Sequence, residues 1–234
     1  PSDACSVQAA IGAVNAVAFD ISAACAGFIF AMNIVEGFFK AGIYKTALII
    51  GAETLSKVTD WSDRGTCVLF GDGAGAAVLK AEETGIIDMM MGADGTKGDV
   101  LACTSRTVGN FLTGTKPELG FMTMDGQEVF KFAVRKVPES VMELLQRTGT
   151  KKEDIKYYVL HQANERIIEA AARRLKEPME KFPMTIGQFG NTSTASIPLL
   201  LDDMIQKDML KRGDKIIMSG FGAGMTWGAV LMEW

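Results

Sequence analysis

Few folds can accommodate residues 17–42, VAFDISAACAGFIFAMNIVEGFFKAG, where a short alternating apolar run meets a long apolar helix and one thiol, Cys25, stands at the junction. Residues 17–21 suit a pleated strand. Beyond the junction Phe28, Ile29, Ala31, Met32, Ile34, Val35, Phe38 and Phe39 surround the helix axis. Only Asn33, Glu36 and Lys40 are polar after the first turn, and Gly42 stands at a natural stop. A helix apolar on every face is a buried one, so a central helix is expected here. Its first turn, Ser22, Ala23, Ala24, Cys25, Ala26 and Gly27, is small enough for a substrate to approach backbone N–H groups that lack intrahelical partners. The positive end of the helix favours thiolate, the nucleophilic form. The position equally suits a buried structural cysteine.

With 234 residues, 48% of them hydrophobic, the chain has material for one large globular domain or two small ones. No uncharged apolar run reaches the ~18 residues of a membrane span, and the first residues, PSDACSVQ, do not resemble a secretion signal. Cys5, Cys25, Cys67 and Cys103 form no Cys-x-x-Cys pair, and one histidine leaves no zinc set, so a reducing cytoplasm and no bound metal are expected. A net charge of −4 argues against nucleic acid as partner, although a local basic patch can still dock an acidic one. The 14 methionines read as core filler.

Further strands are expected at residues 46–52, around FGDGAGAAVLKA, and at 86–92, followed by a Gly-rich polar stretch, 95–120, of the kind that borders a site. The glycines Gly71, Gly73 and Gly75 do not form a phosphate loop, since no Lys-Ser/Thr follows; they fit close approach of backbones or ligands. A helix begins near Asp125, is kinked or broken at Pro138, and resumes to Gly149. Then come a buried strand at 157–160, a helix at Glu165–Leu175, a brief strand at 184–186, a turn and helix in GQFGNTSTASIPLLLDDMI, and strands at 215–219 and 225–233. This alternation indicates an α/β fold with mainly parallel pairing. ALIIGAE and FGDGAGAAVL are echoed by KIIMSGFGAG and MTWGAVL, and the helix after Cys25 by the one after Asn191, so the chain reads as two related halves, the first of them short.

Three polar residues fall where a strand gives way to a helix: Cys25, His161 in YYVLHQAN and Asn191 in QFGNTS. Ligands bind at the carboxyl ends of strands in parallel α/β sheets, so three such residues can converge while distant in sequence. Alone, the histidine is an ordinary core or surface residue and the asparagine a helix cap. Together with the thiol they make a set suited to acyl transfer: a nucleophile, a proton handler and an amide donor for an oxyanion. The turn GFGAG offers that oxyanion a backbone N–H as well.

On DISAACAGF, DRGTCVLFGDGAGAAVL, MDGQEVFKFAV, HQANERII, GNTSTASIPLLL and GFGAGMTWGAVL, the chain resembles the β-ketoacyl-acyl carrier protein synthase III family of the thiolase-like superfamily. The resemblance implies a thiolase-like α/β fold: two related halves with layered mixed sheets around buried central helices, residues 1–110 being the remainder of the first half and 111–234 the second. It implies an acyltransferase that starts fatty acid synthesis. By the same resemblance Cys25 would accept an acyl group from acyl-CoA, and His161 and Asn191 would bind the thioester carbonyl of malonyl-acyl carrier protein and stabilise the enolate that decarboxylation creates. The N–H groups of Cys25 and Ala223 would hold the other oxyanion. Arg64, Leu69, Gly126, Phe130, Ala163 and Asn164 are implied for CoA and pantetheine, and Lys131 and Arg166 for the acidic carrier protein. No permanently bound cofactor, a homodimer and a cytoplasmic location follow from the same resemblance. Family members carry roughly eighty to ninety residues before the position of Pro1, most of a half-domain's sheet, so a further N-terminal segment is expected.

Elongating synthases of the superfamily use Cys, His and His, and thiolases a second Cys, whereas position 191 is Asn and His161 is the only histidine. Two other readings stay open from the residues: a papain-like Cys, His, Asn hydrolase, for which the Cys-Gly-x-Cys-aromatic signature is lacking, and a catalytically silent fragment or interaction module.

Overall fold

The computed structural model describes residues 2–103, 108–118 and 120–234. In chain order its elements are α1 (Asp3–Ala10), α2 (Gly27–Lys40), β1 (Thr46–Glu53), β2 (Gly73–Lys80), β3 (Ile86–Ala93), β4 (Leu101–Cys103), β5 (Met122–Met124), α3 (Gly126–Thr148), β6 (Ile155–Leu160), α4 (Glu165–Leu175), α5 (Ile186–Phe189), α6 (Ser196–Gln206), β7 (Lys215–Gly222) and β8 (Thr226–Glu233), with 3-10 turns between several of them. Within the Gly-rich stretch 95–120, residues 104–107 and 119 lie outside the described residues.

The central sheet has the order β3-β8-β7-β6, and β1-β2 and β4-β5 are separate pairs. Period-two alternation explains how that sheet is buried on both faces. Tyr158, Ile217, Ala229 and Leu231 point into one core with α3 and α4, while their neighbours Val159, Ile216, Met218 and Val230 point into a second core with α2 and α6. Ile49, Ala77 and Leu79 bring the β1-β2 ribbon onto the far side of that second core. The layers therefore run α3 and α4, four-stranded sheet, α2 and α6, two-stranded ribbon. This is the layered mixed α/β arrangement implied by the resemblance.

Pairing is not mainly parallel. Among the described strands only β6 and β7 are parallel, and β1-β2, β3-β8, β4-β5 and β7-β8 are antiparallel. The short turn at residues 223–225 forces β8 to return beside β7 as a hairpin, which no parallel pair can do without a crossover.

Three local expectations also change. Residues 17–21 form no strand and have no strand partner among the described residues; they are tied to α1 instead, the Asp20 carboxylate accepting from the N–H groups of Asp3 and Ala4 at 2.9 and 2.8 Å. Residues 184–186 are no strand, because the Thr185 N–H donates to the Gln162 side chain at 3.0 Å rather than to a ladder, and α5 starts at once. Pro138 neither breaks nor divides α3, which runs unbroken between the Asp125 cap and Gly149 at φ 67°. Proline leaves the carbonyl four residues earlier without its helical donor, and Arg174 of α4 supplies one, its guanidinium donating to the Val134 carbonyl at 3.2 Å.

The central position expected for α2 holds over its first turns. Gly27, Phe28, Ile29 and Met32 are buried between sheet and ribbon, the larger three contributing roughly 1.5–3 kcal/mol each by leaving water. Its later turns are half-buried, and Gly37 and Lys40 are exposed.

Candidate active site

Cys25 sits not inside α2 but in the 3-10 turn Ala24–Ala26 that precedes it, entered through Ala24 at φ 45°. A left-handed non-glycine residue is costly and persists only where neighbours determine it. One neighbour is β7: a side chain at Gly222 would place its first carbon 2.5 Å from the Cys25 nitrogen, so glycine is required there for the strand to lie under the turn. The Cys25 N–H faces its own sulfur, and neither it nor the Ala223 N–H reaches a carbonyl acceptor among the described residues. Both donors implied for an oxyanion are thus unspent.

The expected thiolate is corrected. Burial pushes the Cys25 thiol up to about 11; the Ser193 hydroxyl pulls the other way, and the Glu53 carboxylate adds to the rise. Withdrawal of the sulfur from water outweighs the helix end, so the resting site holds a neutral thiol.

His161 follows β6 directly, 2% exposed, with its backbone N–H donating to the Ser219 carbonyl of β7 at 2.8 Å. Its Nδ1 lies 2.7 Å from Ser196 Oγ, and the Phe221 ring meets the imidazole edge-on at 5.4 Å between centroids. Burial lowers its pKa to about 3, so the ring is neutral across the physiological range. The Ser196 oxygen also accepts the Gln162 N–H at 3.3 Å. The hydroxyl hydrogen has no other acceptor among the described residues, so it serves Nδ1 best and leaves the proton of the neutral ring on Nε2.

Asn191 does not follow a strand. It is strapped to residues 69–71, its N–H donating to the Leu69 carbonyl at 2.8 Å and its carbonyl accepting the Gly71 N–H at 2.9 Å. A side chain on Gly71 would overlap the Phe189 carbonyl, so the glycines of FGDGAG serve close approach of backbones, as the sequence indicated. Asn191 Oδ1 accepts the Ser193 N–H at 2.9 Å, which orients the amide so that its NH2 remains available to donate. Two elements tie the three residues together: β7 underlies Cys25 and holds His161, and the turn Ser193–Ala195 links Asn191 to the Cys25 turn through Thr194 Oγ1, which donates to the Ala24 carbonyl at 2.7 Å.

Beside them lies a cleft of about 380 Å³ lined by Leu69, Ala163, Asn164, Met184, Ile186 and Gly190 among others. It brings together three of the residues implied for CoA and pantetheine, Leu69, Ala163 and Asn164. Asn164 also caps α4, its Oδ1 accepting the Arg166 N–H at 2.9 Å. Arg64 is exposed on the loop before residues 69–71; Gly126 and Phe130 are exposed in the first turns of α3 and do not line the cleft. Lys131 is exposed and paired with Glu128 at 2.8 Å, and Arg166 is exposed at the start of α4. A larger hollow of about 630 Å³ on the outer face of α3, between Glu139 and Lys152, shares no residue with the site.

The residues missed from the sequence are the supporting ones: Ser193, Ser196, Phe221 and Gln162. A signal existed for the first two, since GNTSTAS places four hydroxyl residues immediately ahead of an apolar helix, where they are well placed to serve unpaired polar groups.

Residues 19–95 match the family model of 3-oxoacyl-[acyl-carrier-protein (ACP)] synthase III, and residues 145–234 match that of its C-terminal part. A Clostridium novyi (strain NT) protein named beta-ketoacyl-[acyl-carrier-protein] synthase III is 53% identical over all of this chain and 73% of its own length, and a Clostridium acetobutylicum protein of the same name is 51% identical over the same shares. Among solved structures, the 3-oxoacyl-[acyl-carrier-protein] synthase III of Aquifex aeolicus VF5 superposes with a TM-score of 0.91 at 45% identity, covering all of this chain and 72% of that one. The Pseudomonas aeruginosa PAO1 enzyme superposes with a TM-score of 0.94 at 39% identity, over 100% and 73%.

Proposed function

Because the chain belongs to the 3-oxoacyl-[acyl-carrier-protein] synthase III family, we propose that Cys25 is the acyl carrier and that His161 and Asn191 are the donors that drive decarboxylation. The activity is that of a condensing acyltransferase which starts fatty acid synthesis by joining an acyl primer to malonyl-acyl carrier protein.

In the first half-reaction the Cys25 sulfur attacks the thioester carbonyl of acyl-CoA, the N–H groups of Cys25 and Ala223 hold the oxyanion, and the C–S bond to CoA breaks. The thiol proton ends on the departing CoA sulfur, which leaves as the free thiol. In the second, the His161 Nε2–H and the Asn191 NH2 donate to the thioester carbonyl of malonyl-acyl carrier protein. The bond to the carboxylate breaks, carbon dioxide departs, and the electron pair becomes an enolate on those two donors. The enolate carbon attacks acyl-Cys25 and expels the sulfur, giving β-ketoacyl-acyl carrier protein.

The observation that carries this reading is the way the two side chains are tied. Ser196 occupies His161 Nδ1 and the Ser193 N–H occupies Asn191 Oδ1, which leaves each with donor capacity suited to an oxyanion. Neutral partners suit the same task, because a buried imidazolium would hold the carboxylate that must leave.

The cleft at Leu69, Ala163 and Asn164 is our candidate for the pantetheine arm, with Arg64 at the CoA end and Gly126 and Phe130 further along the acyl path. Lys131 and Arg166 form the docking rim for the acidic carrier protein, acyl-CoA is the other partner, and no permanently bound cofactor is needed. Leu48 and Val78, opposite each other on the β1-β2 ribbon and exposed, give a second copy an apolar surface to cover, which supports a homodimer. No described helix is long and apolar enough to cross a membrane, and a cytoplasmic location fits the substrates. We read residues 1–110 and 111–234 as the two related halves.

Intact-protein mass spectrometry after brief exposure to acetyl-CoA tests the assignment. One acetyl group is expected on the wild-type chain and none on Cys25→Ser; an adduct that survives the substitution would remove Cys25 from the role.

A further inference from the structure

The two N–H groups read above as oxyanion donors belong to backbone turns far apart in sequence, and something must fix one against the other. A single hydroxyl spans them. Thr226 Oγ1, on the first residue of β8, lies 3.1 Å from the Ala23 carbonyl and 3.2 Å from the Ala223 carbonyl, so its one hydrogen is shared between the turn that leads into Cys25 and the turn that carries the Ala223 N–H. The next carbonyl along, that of Ala24, accepts from Thr194 Oγ1 at 2.7 Å. The peptide planes on both sides of Ala24, the left-handed residue, are thus each held by a threonine from the second half of the chain.

The internal repeat gives this a simple origin. Each half has a left-handed residue, a 3-10 turn and then a helix: Ala24 at φ 45° before α2, Ser193 at φ 50° before α6. Matching Ala24 to Ser193 places Thr194 at the position that Cys25 holds in the first half. The hydroxyl there reaches across to the opposing turn.

We propose that Thr226, assisted by Thr194, is a positioning residue for acyl transfer: it sets the Cys25 turn against the Ala223 turn so that their N–H groups meet at one oxyanion. The inference rests on the reading of Cys25 as acyl carrier. An error of an ångström in such donors costs up to about a hundredfold in rate, and a displaced but still present donor costs less.

The test compares two reactions of the same sulfur in folded protein. Acylation by acetyl-CoA needs the oxyanion donors, whereas alkylation by iodoacetamide does not. For Thr226→Val the rate constant for acetylation should fall on the order of tenfold with little change in the half-saturating acetyl-CoA concentration, alkylation should stay within about twofold, and Thr226→Ser should restore acetylation. Thr194→Val should lose about threefold by the same measure, and it decides the matter if circular dichroism shows Thr226→Val unfolded. Equal losses in both reactions, or acetylation unchanged, would overturn the proposal while leaving Cys25 as carrier. Absence of acetylation in the wild-type chain would overturn both.

Discussion

His161 is held by its own half of the molecule: by the Ser219 carbonyl on the adjacent strand, by Ser196 at the start of α6, and by the Phe221 ring. Cys25 is held by the other half, through the glycine floor of β7 and two threonine hydroxyls that arrive from 170 and 203 residues away. Asn191 stands between the two, with its side chain fixed locally by Ser193 and its backbone strapped to residues 69–71. The difference teaches that His161 is fixed within the second half, whereas Cys25, the proposed acyl carrier, has its shaped turn only where the halves meet. Damage at the seam should therefore strike acylation first, and damage within the second half should strike condensation first.

The seam is broken most severely at Gly222. A methyl group there must displace the Cys25 backbone nitrogen, so Gly222→Ala is expected to lower acetylation of Cys25 by about a hundredfold, with the four-stranded sheet retained by circular dichroism. Acetylation at the wild-type rate would show that the turn is not set by β7. Within the second half, Ser196→Ala removes the partner of His161 Nδ1 and lets the ring choose the wrong tautomer. Condensation should fall about tenfold while acetylation is little changed, read from β-ketoacyl product and Cys25 adduct in parallel.

The smallest effect is on stability. His161 is neutral in the fold to about pH 3, but once unfolded it binds a proton below its ordinary pKa of 6.5. Between those values the unfolded chain holds more protons, so stability falls as pH drops from 6.5 toward 3, with a limiting slope of about 1.4 kcal/mol per pH unit from this one group. In urea titrations across pH 4–7 the wild-type chain should lose stability relative to His161→Gln as pH falls; parallel curves would mean that the imidazole is not buried neutral. Cys25 acts in the opposite direction, since its raised pKa costs stability as pH rises from about 9 to 11.

The strands of the central sheet, α3 and α4 are legible because period and capping residue coincide at each: β7 and β8 alternate between two cores, and Asp125 and Gly149 bracket α3; Cys25, His161 and Asn191 stand out as candidates because each interrupts or borders an apolar run. What escaped depends on contacts from elsewhere. Nothing near Pro138 announces that Arg174 will satisfy the Val134 carbonyl, and nothing near residues 184–186 announces Gln162. The alternation of residues 17–21 is real, yet a strand needs a partner and α1 takes that place. The ionisation of Cys25 was misjudged for a related reason: a helix start is visible in sequence, whereas the burial that outweighs it comes from strands and turns of the other half.

The most direct measurement follows two products in the same samples of His161→Ala mixed with acetyl-CoA and malonyl-acyl carrier protein: the acetyl adduct on Cys25 by mass and the release of labelled carbon dioxide. The adduct should form within about threefold of the wild-type rate while carbon dioxide release falls on the order of 10²–10³-fold, the loss of an oxyanion donor. Loss of both together, or decarboxylation at the wild-type rate, would contradict a carrier at the seam that His161, fixed in the second half, serves in decarboxylation alone.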